Sequence, residues 1–210
     1  MPRPRSDIRP RVIEAARARF LRDGVDGASL RGIAQDAGTS IGMIYYYFPT
    51  KDDLFLCVVE DVYAGLLEDL AVALAADAPV EDRIRNLYRR AGAMSDVEFV
   101  VIRIVIREAL VSSSRLERLM ERVARGHLPL LLQTVRQGVD EGVLTDRYPL
   151  PVHLASIGIL AIFPQIARRV IGQTSPALLA ILPGADDLAV LLSEIVLGGI
   201  GGPAASKGAE

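Results

Sequence analysis

Residues 41–55 read IGMIYYYFPTKDDLF, and the two ends of that stretch decide how the chain folds around it. Ser40 precedes it as a helix N-cap, Ile44 and Phe48 fall on one side at i, i+4, and Pro49 prevents continuation. Thr50 then opens a new helix: its hydroxyl suits the amide three residues on, and the Asp53 charge suits the first-turn dipole. The outward positions of the first helix are Ser40, Ile41, Gly42, Met43, Tyr45, Tyr46 and Tyr47. A soluble helix has little packing reason to gather so many aromatic hydroxyls on one surface. Tyrosine hydroxyls donate to phosphate oxygens. Gly42 costs helix stability, which is sensible where a backbone must approach another molecule closely.

Upstream, Gly38 supplies a left-handed turn after a short helix, Ser29–Ala37, in which Ser29 is the cap and Leu30, Ile33, Ala34 and Ala37 share a face. Before it, a helix from about Asp7 to Asp23 buries Ile13, Ala16 and Phe20, tolerates Pro10 in its first turn, and ends at Gly24 as a left-handed cap. Two short helices joined by Gly38 and Thr39 make a helix-turn-helix, with the second helix free to enter a major groove. Lys51, at the next helix N-terminus, is a candidate phosphate ligand.

Downstream, helical spacing continues at about 80–94, 96–112, 114–142, 150–171 and 185–198, giving about nine helices. Pro129 and Pro164 fall inside two of these segments, and each either kinks or splits its helix. Strand signals are nearly absent, so the fold class is all-α. The chain has 210 residues, half of them apolar, enough for a sizeable core. Its net charge is −2, yet residues 1–51 carry nine Arg/Lys against five Asp/Glu, the footprint of one module that meets phosphates.

Several functions are disfavoured. A Gly-rich phosphate loop, paired glycosidase-like carboxylates and a nucleophile elbow are all missing, so the chain is expected not to be an enzyme and to need no cofactor. His127 and His153 are far apart and near no cysteine or acidic cluster, so no metal site is expected. Cys57, the single cysteine, reads as a buried apolar filler. No signal peptide precedes the first helix, and the longest charge-free apolar stretch, Leu154–Phe163, is too short to span a bilayer. A cytoplasmic location without membrane contact is the expectation.

Residues 9–62 resemble the DNA-binding domain of the TetR family of transcriptional regulators. The resemblance rests on Ile13, Ala16, Phe20 and Gly24, then Ile33-Ala34, Ala37-Gly38, Gly42, Ile44-Tyr45, Tyr47-Phe48 and Lys51–Leu54. It implies base or backbone contact from Ser40, Ile41, Gly42, Met43 and Tyr46, phosphate contact from Tyr45, Tyr47 and Lys51, and Arg31 reaching DNA from the preceding helix. Ser29 and Thr39, at the starts of the two short helices, belong to the same candidate surface. Thr39 stands where the family usually has an apolar residue, and Ile41 and Met43 replace polar or basic side chains, which shifts base readout toward thymine methyl groups.

The resemblance further implies an N-terminal three-helix domain (1–50), a connecting fourth helix (51–75), a C-terminal helical ligand-binding and dimerisation domain (76–200) and a disordered tail (201–210). The expected partners are operator DNA with a palindromic site, a second copy of the chain, and a small-molecule inducer. Segments 150–171 and 185–198 are apolar nearly all round, as dimer helices are, and Ala155, Gly158 and Ala161 permit close approach. The inducer is expected among the segments holding Tyr88, Phe99, Arg103, His127 and Phe163, in a mainly aliphatic site, with Arg103 the candidate partner of a charged head group.

Bland readings stand beside these. The tyrosines fit packing between helices, Arg31 and Lys51 fit solvated surface, and Arg3, Arg5, Arg9 and Arg11 fit either a minor-groove arm or an unordered tail. Arg103 and Arg107 also fit pairing with Glu108 or other acids, or exposure to water. At the level of function, a ligand-released repressor competes with an activator of the same fold and with a helical small-molecule-binding module that has lost DNA function.

Overall fold

A computed structural model describes residues 7–111 and 114–200. Eleven helices and no strand lie among them: α1 (Ile8–Gly27), α2 (Leu30–Asp36), α3 (Ile41–Tyr47), α4 (Lys51–Ala73), α5 (Val80–Gly92), α6 (Asp96–Val111), α7 (Ser114–Arg125), α8 (His127–Asp140), α9 (Leu150–Thr174), α10 (Pro176–Leu179) and α11 (Ala185–Ile200). They form two compact units, one from residues up to 66 with 95–123, the other from 67–94 with the residues after 123. The boundary expected near residue 75 is therefore displaced. Helix α4 contributes to both units, and α6 and α7, expected in the C-terminal domain, belong with α1–α3.

In the first unit, Val12, Ile13, Ala16 and Phe20 form the buried stripe of α1. Gly24 interrupts that helix with φ +77° and ψ 168°, so the chain leaves through an extended ψ and one more turn follows before Ala28. The glycine is required by its φ; an added Cβ would also stand 2.9 Å from Cζ of Arg107, a flexible side-chain end that can shift. Phe20, Ile33, Ile44, Leu54, Phe55 and Val58 share one core with Val101, Ile104 and Leu119. Each such side chain contributes about 1.5–3 kcal/mol by burial. The Phe20 and Phe55 rings meet edge to face at 6.3 Å. Cys57 is buried against this core, as an apolar filler is, and its Sγ accepts a hydrogen bond from Arg9 at 2.9 Å.

In the second unit, α9 packs on α5, α8, α10 and α11. The expected helix over 114–142 is two helices, and the break is at Gly126 (φ −94°, ψ −107°). Pro129 therefore sits in the first turn of α8, where its missing N–H costs nothing. Pro164 behaves oppositely: α9 runs through it to Thr174. The short α10 carries no sequence signal beyond Pro176. Helix α9 also exceeds the charge-free stretch 154–163, and its most apolar window has a mean hydropathy of 1.7, enough by length and composition to cross a membrane. It is nonetheless a packed helix of the unit: His153 and Gln165 are buried in it, Gln165 donates to the Ala185 carbonyl at 3.0 Å, and Arg168 and Arg169 donate to the carbonyls of Pro183 and Met94.

Candidate nucleic-acid interface

The local chemistry that shapes the helix-turn-helix is visible at each helix start. Ser29 Oγ accepts from the Gly32 amide at 3.4 Å and Ser40 Oγ from the Met43 amide at 3.3 Å, each satisfying one orphan donor of its helix. Gly38, at φ +61°, turns the chain between them. At α4 the capping box is reciprocal: the Asp53 amide donates to Thr50 Oγ1 at 3.1 Å, and the Thr50 amide donates to Asp53 Oδ2 at 3.2 Å. The Thr50 hydroxyl, followed by Arg118, holds the Asp53 carboxyl below its usual range.

On α3, Ile44 is buried in the core while Tyr45 and Tyr46 are exposed, Tyr46 at 76 %. Packing between helices is thus not what holds Tyr46 in place. It stands edge to face on Tyr47 at 5.1 Å, a pair that stiffens the exposed ring. Three expected outward residues, Ile41, Met43 and Tyr47, are only half-exposed. Ile41 and Tyr47 are half-buried against the core, because a seven-residue helix lying on a core has room for only a narrow outward face. Ser40 and Gly42 are exposed, and Met43 and Thr39 half-buried. A Cβ added to Gly42 would meet only Ser40 Oγ, at 3.8 Å. Nothing among the described residues requires a glycine there.

Arg31 is exposed on α2 and forms no ion pair among the described residues. Lys51 is neither free nor simply solvated: its Nζ donates to the Asp26 carbonyl at 2.8 Å and the Ala28 carbonyl at 3.4 Å, with one N–H left to offer. Arg9 and Arg11 are described and fold into α1, where the Arg9 guanidinium lies over the Phe48 ring and Arg11 bonds the Asp7 carbonyl. Arg3 and Arg5 lie outside the described residues.

Sequence reading missed the charge cluster behind this surface. Arg115 on α7 is buried and bonds Glu108, Asp52 and Asp26, each at 2.8 Å, while Arg118 pairs with Asp53 at 3.0 Å and Arg122 with Glu60. The signal was present as matched spacing, with arginines at i, i+3, i+7 on α7 facing acids at i, i+1, i+8 on α4. Glu108 pairs with Arg115, not with Arg103 or Arg107.

The ligand candidates are not brought together. Arg103 is exposed with its guanidinium 5.6 Å from the Phe99 ring centroid, and both belong to the first unit, so Arg103 is not a buried partner for a head group. Phe163 is 63 % exposed. Tyr88 and His153 are buried in the second unit, and neither Tyr88 Oη nor His153 Nε2 has a hydrogen-bond partner among the described residues. Burial pushes the Tyr88 phenol well above its usual pKa and the His127 imidazole below its own. An open groove of about 420 Å³ is lined by α8 residues from Pro129 to Asp140.

Comparison with known proteins meets this geometry at the same place. The family model for bacterial regulatory proteins of the tetR family matches residues 12–58. The HTH-type transcriptional repressor SCO4008 of Streptomyces coelicolor is 30 % identical over 168 residues, 77 % of this chain and 82 % of that protein. The HTH-type transcriptional regulator PksA of Bacillus subtilis is 36 % identical over 67 residues, 30 % of this chain and 33 % of its own length. Among solved structures, the transcriptional regulator FadR of Bacillus subtilis, in complex with stearoyl-CoA, superposes with a TM-score of 0.70 at 16 % identity over 91 % of this chain and 98 % of that one. With a capped helix-turn-helix at the matched residues and a repressor relative along most of its length, the chain belongs to the tetR family of bacterial regulatory proteins and is a DNA-binding transcriptional regulator.

Proposed function

We propose that this regulator is a homodimeric repressor, without a catalytic step, which leaves a palindromic operator when a mainly apolar small molecule binds its second unit. The observation that carries the DNA-contact assignment is Gly42: it is exposed, nothing among the described residues needs it, and it sits between the exposed residues Ser40 and Tyr46, where a duplex backbone would come close. Around it, Met43, with the methyl edge of Ile41, reads bases, while Tyr45, Tyr47, Arg31, Ser29, Thr39 and the remaining N–H of Lys51 serve the phosphates.

Dimerisation through α9 and α11 is supported by what these helices leave uncovered. Ile159, Phe163 and Val170 on α9, and Val190, Leu191 and Ile195 on α11, are 40–63 % exposed. A Cβ at Gly158, Gly198 or Gly199 would meet nothing within 4 Å, which leaves room for a second backbone. Inside the second unit, Tyr88 Oη, His153 Nε2 and Arg83 Nη1 are buried polar atoms with no hydrogen-bond partner among the described residues, so an apolar or amphipathic ligand that brings a polar group suits it. FadR's stearoyl-CoA shares the apolar chain, though its head group is anionic.

Selecting bound fragments from the source genome tests the reading. It should return imperfect palindromes with half-sites near one helical turn apart. Candidate metabolites from neighbouring genes are then titrated with and without operator. Since linkage is reciprocal, an inducer must bind more weakly on DNA by the factor with which it weakens DNA binding. Unchanged affinity would exclude it as the inducer.

A further inference from the structure

The helix-turn-helix is an excursion of the chain between Asp26 and Asp52, and one guanidinium holds both of its ends. Asp26 lies in the last turn of α1, Asp52 in the first turn of α4, and α2 and α3 are the only helices between them. Arg115 Nη2 donates to Asp26 Oδ1 and Nη1 to Asp52 Oδ1, both at 2.8 Å, while Nε donates to Glu108 Oε1 at 2.8 Å from α6. Lys51 Nζ closes the same excursion a second time on the carbonyls of Asp26 and Ala28.

The four groups differ in exposure in a telling way. The side chains of Arg115 and Glu108 are 8 % and 6 % exposed, those of Asp52 and Asp26 34 % and 71 %. The cation and its rear anchor are inside, and the two acids it grips are the ends of the excursion. Burial works against the Arg115 charge, but its bonds to Asp52, Glu108 and Asp26 outweigh that, and its pKa is raised. A planar fork serves the three carboxylates from three separate nitrogens held in one plane; an ammonium keeps the charge and has three donors, but on a single nitrogen at the end of a flexible stem, and loses that geometry. Arg118 and Arg122 on the same face of α7 make half-exposed pairs of the kind that contribute little.

We propose that Arg115 is a positioning residue for operator recognition: by pinning Asp26 to Asp52 it fixes the angle at which α2 and α3 stand on the first unit, without touching DNA itself. Base-edge contacts need that angle, because they must be held in register. Contacts to phosphate tolerate a looser mount. Losing the pin therefore lowers operator affinity more than affinity for any duplex.

The test uses the full-length protein with R115K, R115M, D26N and, as a control on the same helix face, R122Q. Each is titrated against a genome-selected operator duplex and a scrambled duplex of equal length at several salt concentrations, well below its unfolding temperature. R115K and R115M should lose about tenfold on the operator, the worth of one well-made base contact. On the scrambled duplex they should stay within about twofold, with the salt slope unchanged. D26N separates pinning from plain electrostatics. Removing a negative charge near DNA tightens binding to every duplex, whereas breaking the pin lowers the ratio of operator to scrambled affinity. R122Q should match the wild type.

Equal losses on both duplexes with a slope lower by about one would make Arg115 a phosphate contact and overturn the proposal. So would folded R115K and D26N with wild-type discrimination, which would leave the cluster a purely stabilising one. If R115M does not fold, R115K and D26N decide, since the Asp26 side chain is largely in water.

Discussion

Helices α3 and α9 both expose large side chains, and the character of those side chains tells what each must meet. On α3 the exposed rings are Tyr45 and Tyr46, each ending in a hydroxyl, beside Ser40 and a glycine. On α9 they are Ile159, Phe163 and Val170, with no polar atom among them. A polyanion offers oxygens to bond, so hydroxyls on a surface kept wet serve it; a second apolar helix offers only area, so aliphatic and aromatic carbon serves it. Beneath α3, three carboxylates around Arg115 are matched by three-way bonding, whereas in the second unit Tyr88 Oη and His153 Nε2 are buried with bonds unmade. The first unit also leaves one buried atom, Arg17 Nε, without a partner among the described residues, so the contrast lies in the exposed side chains. In the second unit, the apolar area left exposed on α9 and α11 is what the proposed second copy would cover.

The largest effect should come from charging the apolar face. Ile159→Glu with Phe163→Glu is expected to give a folded monomer, read by sedimentation velocity, and to cost about 100-fold or more in operator affinity, because the second half-site is then no longer bound at high effective concentration. A dimer that persists with those two charges would mean the contrast between α3 and α9 is not about partners. Next, Met43→Ala should change preference at particular base pairs by about 1–3 kcal/mol, read by competition among single-base operator variants. Gly42→Ala should separate stability from binding: thermal unfolding should rise by about 0.5–1 kcal/mol in stability while operator affinity falls, since the methyl group occupies space that only DNA needs. An alanine variant that is more stable and binds as well as wild type would remove the close approach from the site.

Within the second unit, Tyr88→Phe leaves shape and volume intact and removes one buried hydroxyl. It should weaken the identified ligand by about 1 kcal/mol and leave operator affinity in the absence of ligand unchanged. Calorimetric titration reads both. A variant that binds the ligand as tightly as wild type would take Tyr88 out of the site.

What was legible in the sequence follows from the range of the interactions. The caps Ser29, Ser40 and Thr50, the turn at Gly38 and the stop at Pro49 act within four residues, and the structure has each where the spacing predicts it. Gly126 escaped notice as the true break before Pro129 because a proline draws attention as a breaker, although in a first turn it is harmless. Arg103 was readable either as a ligand partner or as a residue paired with acids or exposed to water, and its place on α6 faces water. Arg115 needed partners 63 and 89 residues away, at Asp52 and Asp26, and Ile41 and Tyr47 needed the curvature of the core beneath a short helix. Those are tertiary facts.

The smallest effect lies at the capping box that starts α4. Thr50→Ala removes the acceptor for the Asp53 amide, a cap loss of about 1 kcal/mol, and should lower the thermal stability of the first unit by that amount. Asp53→Asn asks a sharper question, because the carboxylate accepts from the Thr50 hydroxyl at 2.7 Å and from Arg118 at 3.0 Å, and both hold its pKa below the ordinary 3.8. A carboxyl whose folded pKa is lowered contributes stability in full above its unfolded value. That contribution is lost as pH falls through the folded value, since the folded state must then take up a proton it resists. Wild type should therefore be more stable than D53N at pH 7, with the difference shrinking only below about pH 4. Unfolding curves of the two proteins collected from pH 7 to pH 2.5 check it. A gap that stays constant through that range would mean the Asp53 charge contributes nothing, and that the box works through the Thr50 hydroxyl and neutral hydrogen bonds alone.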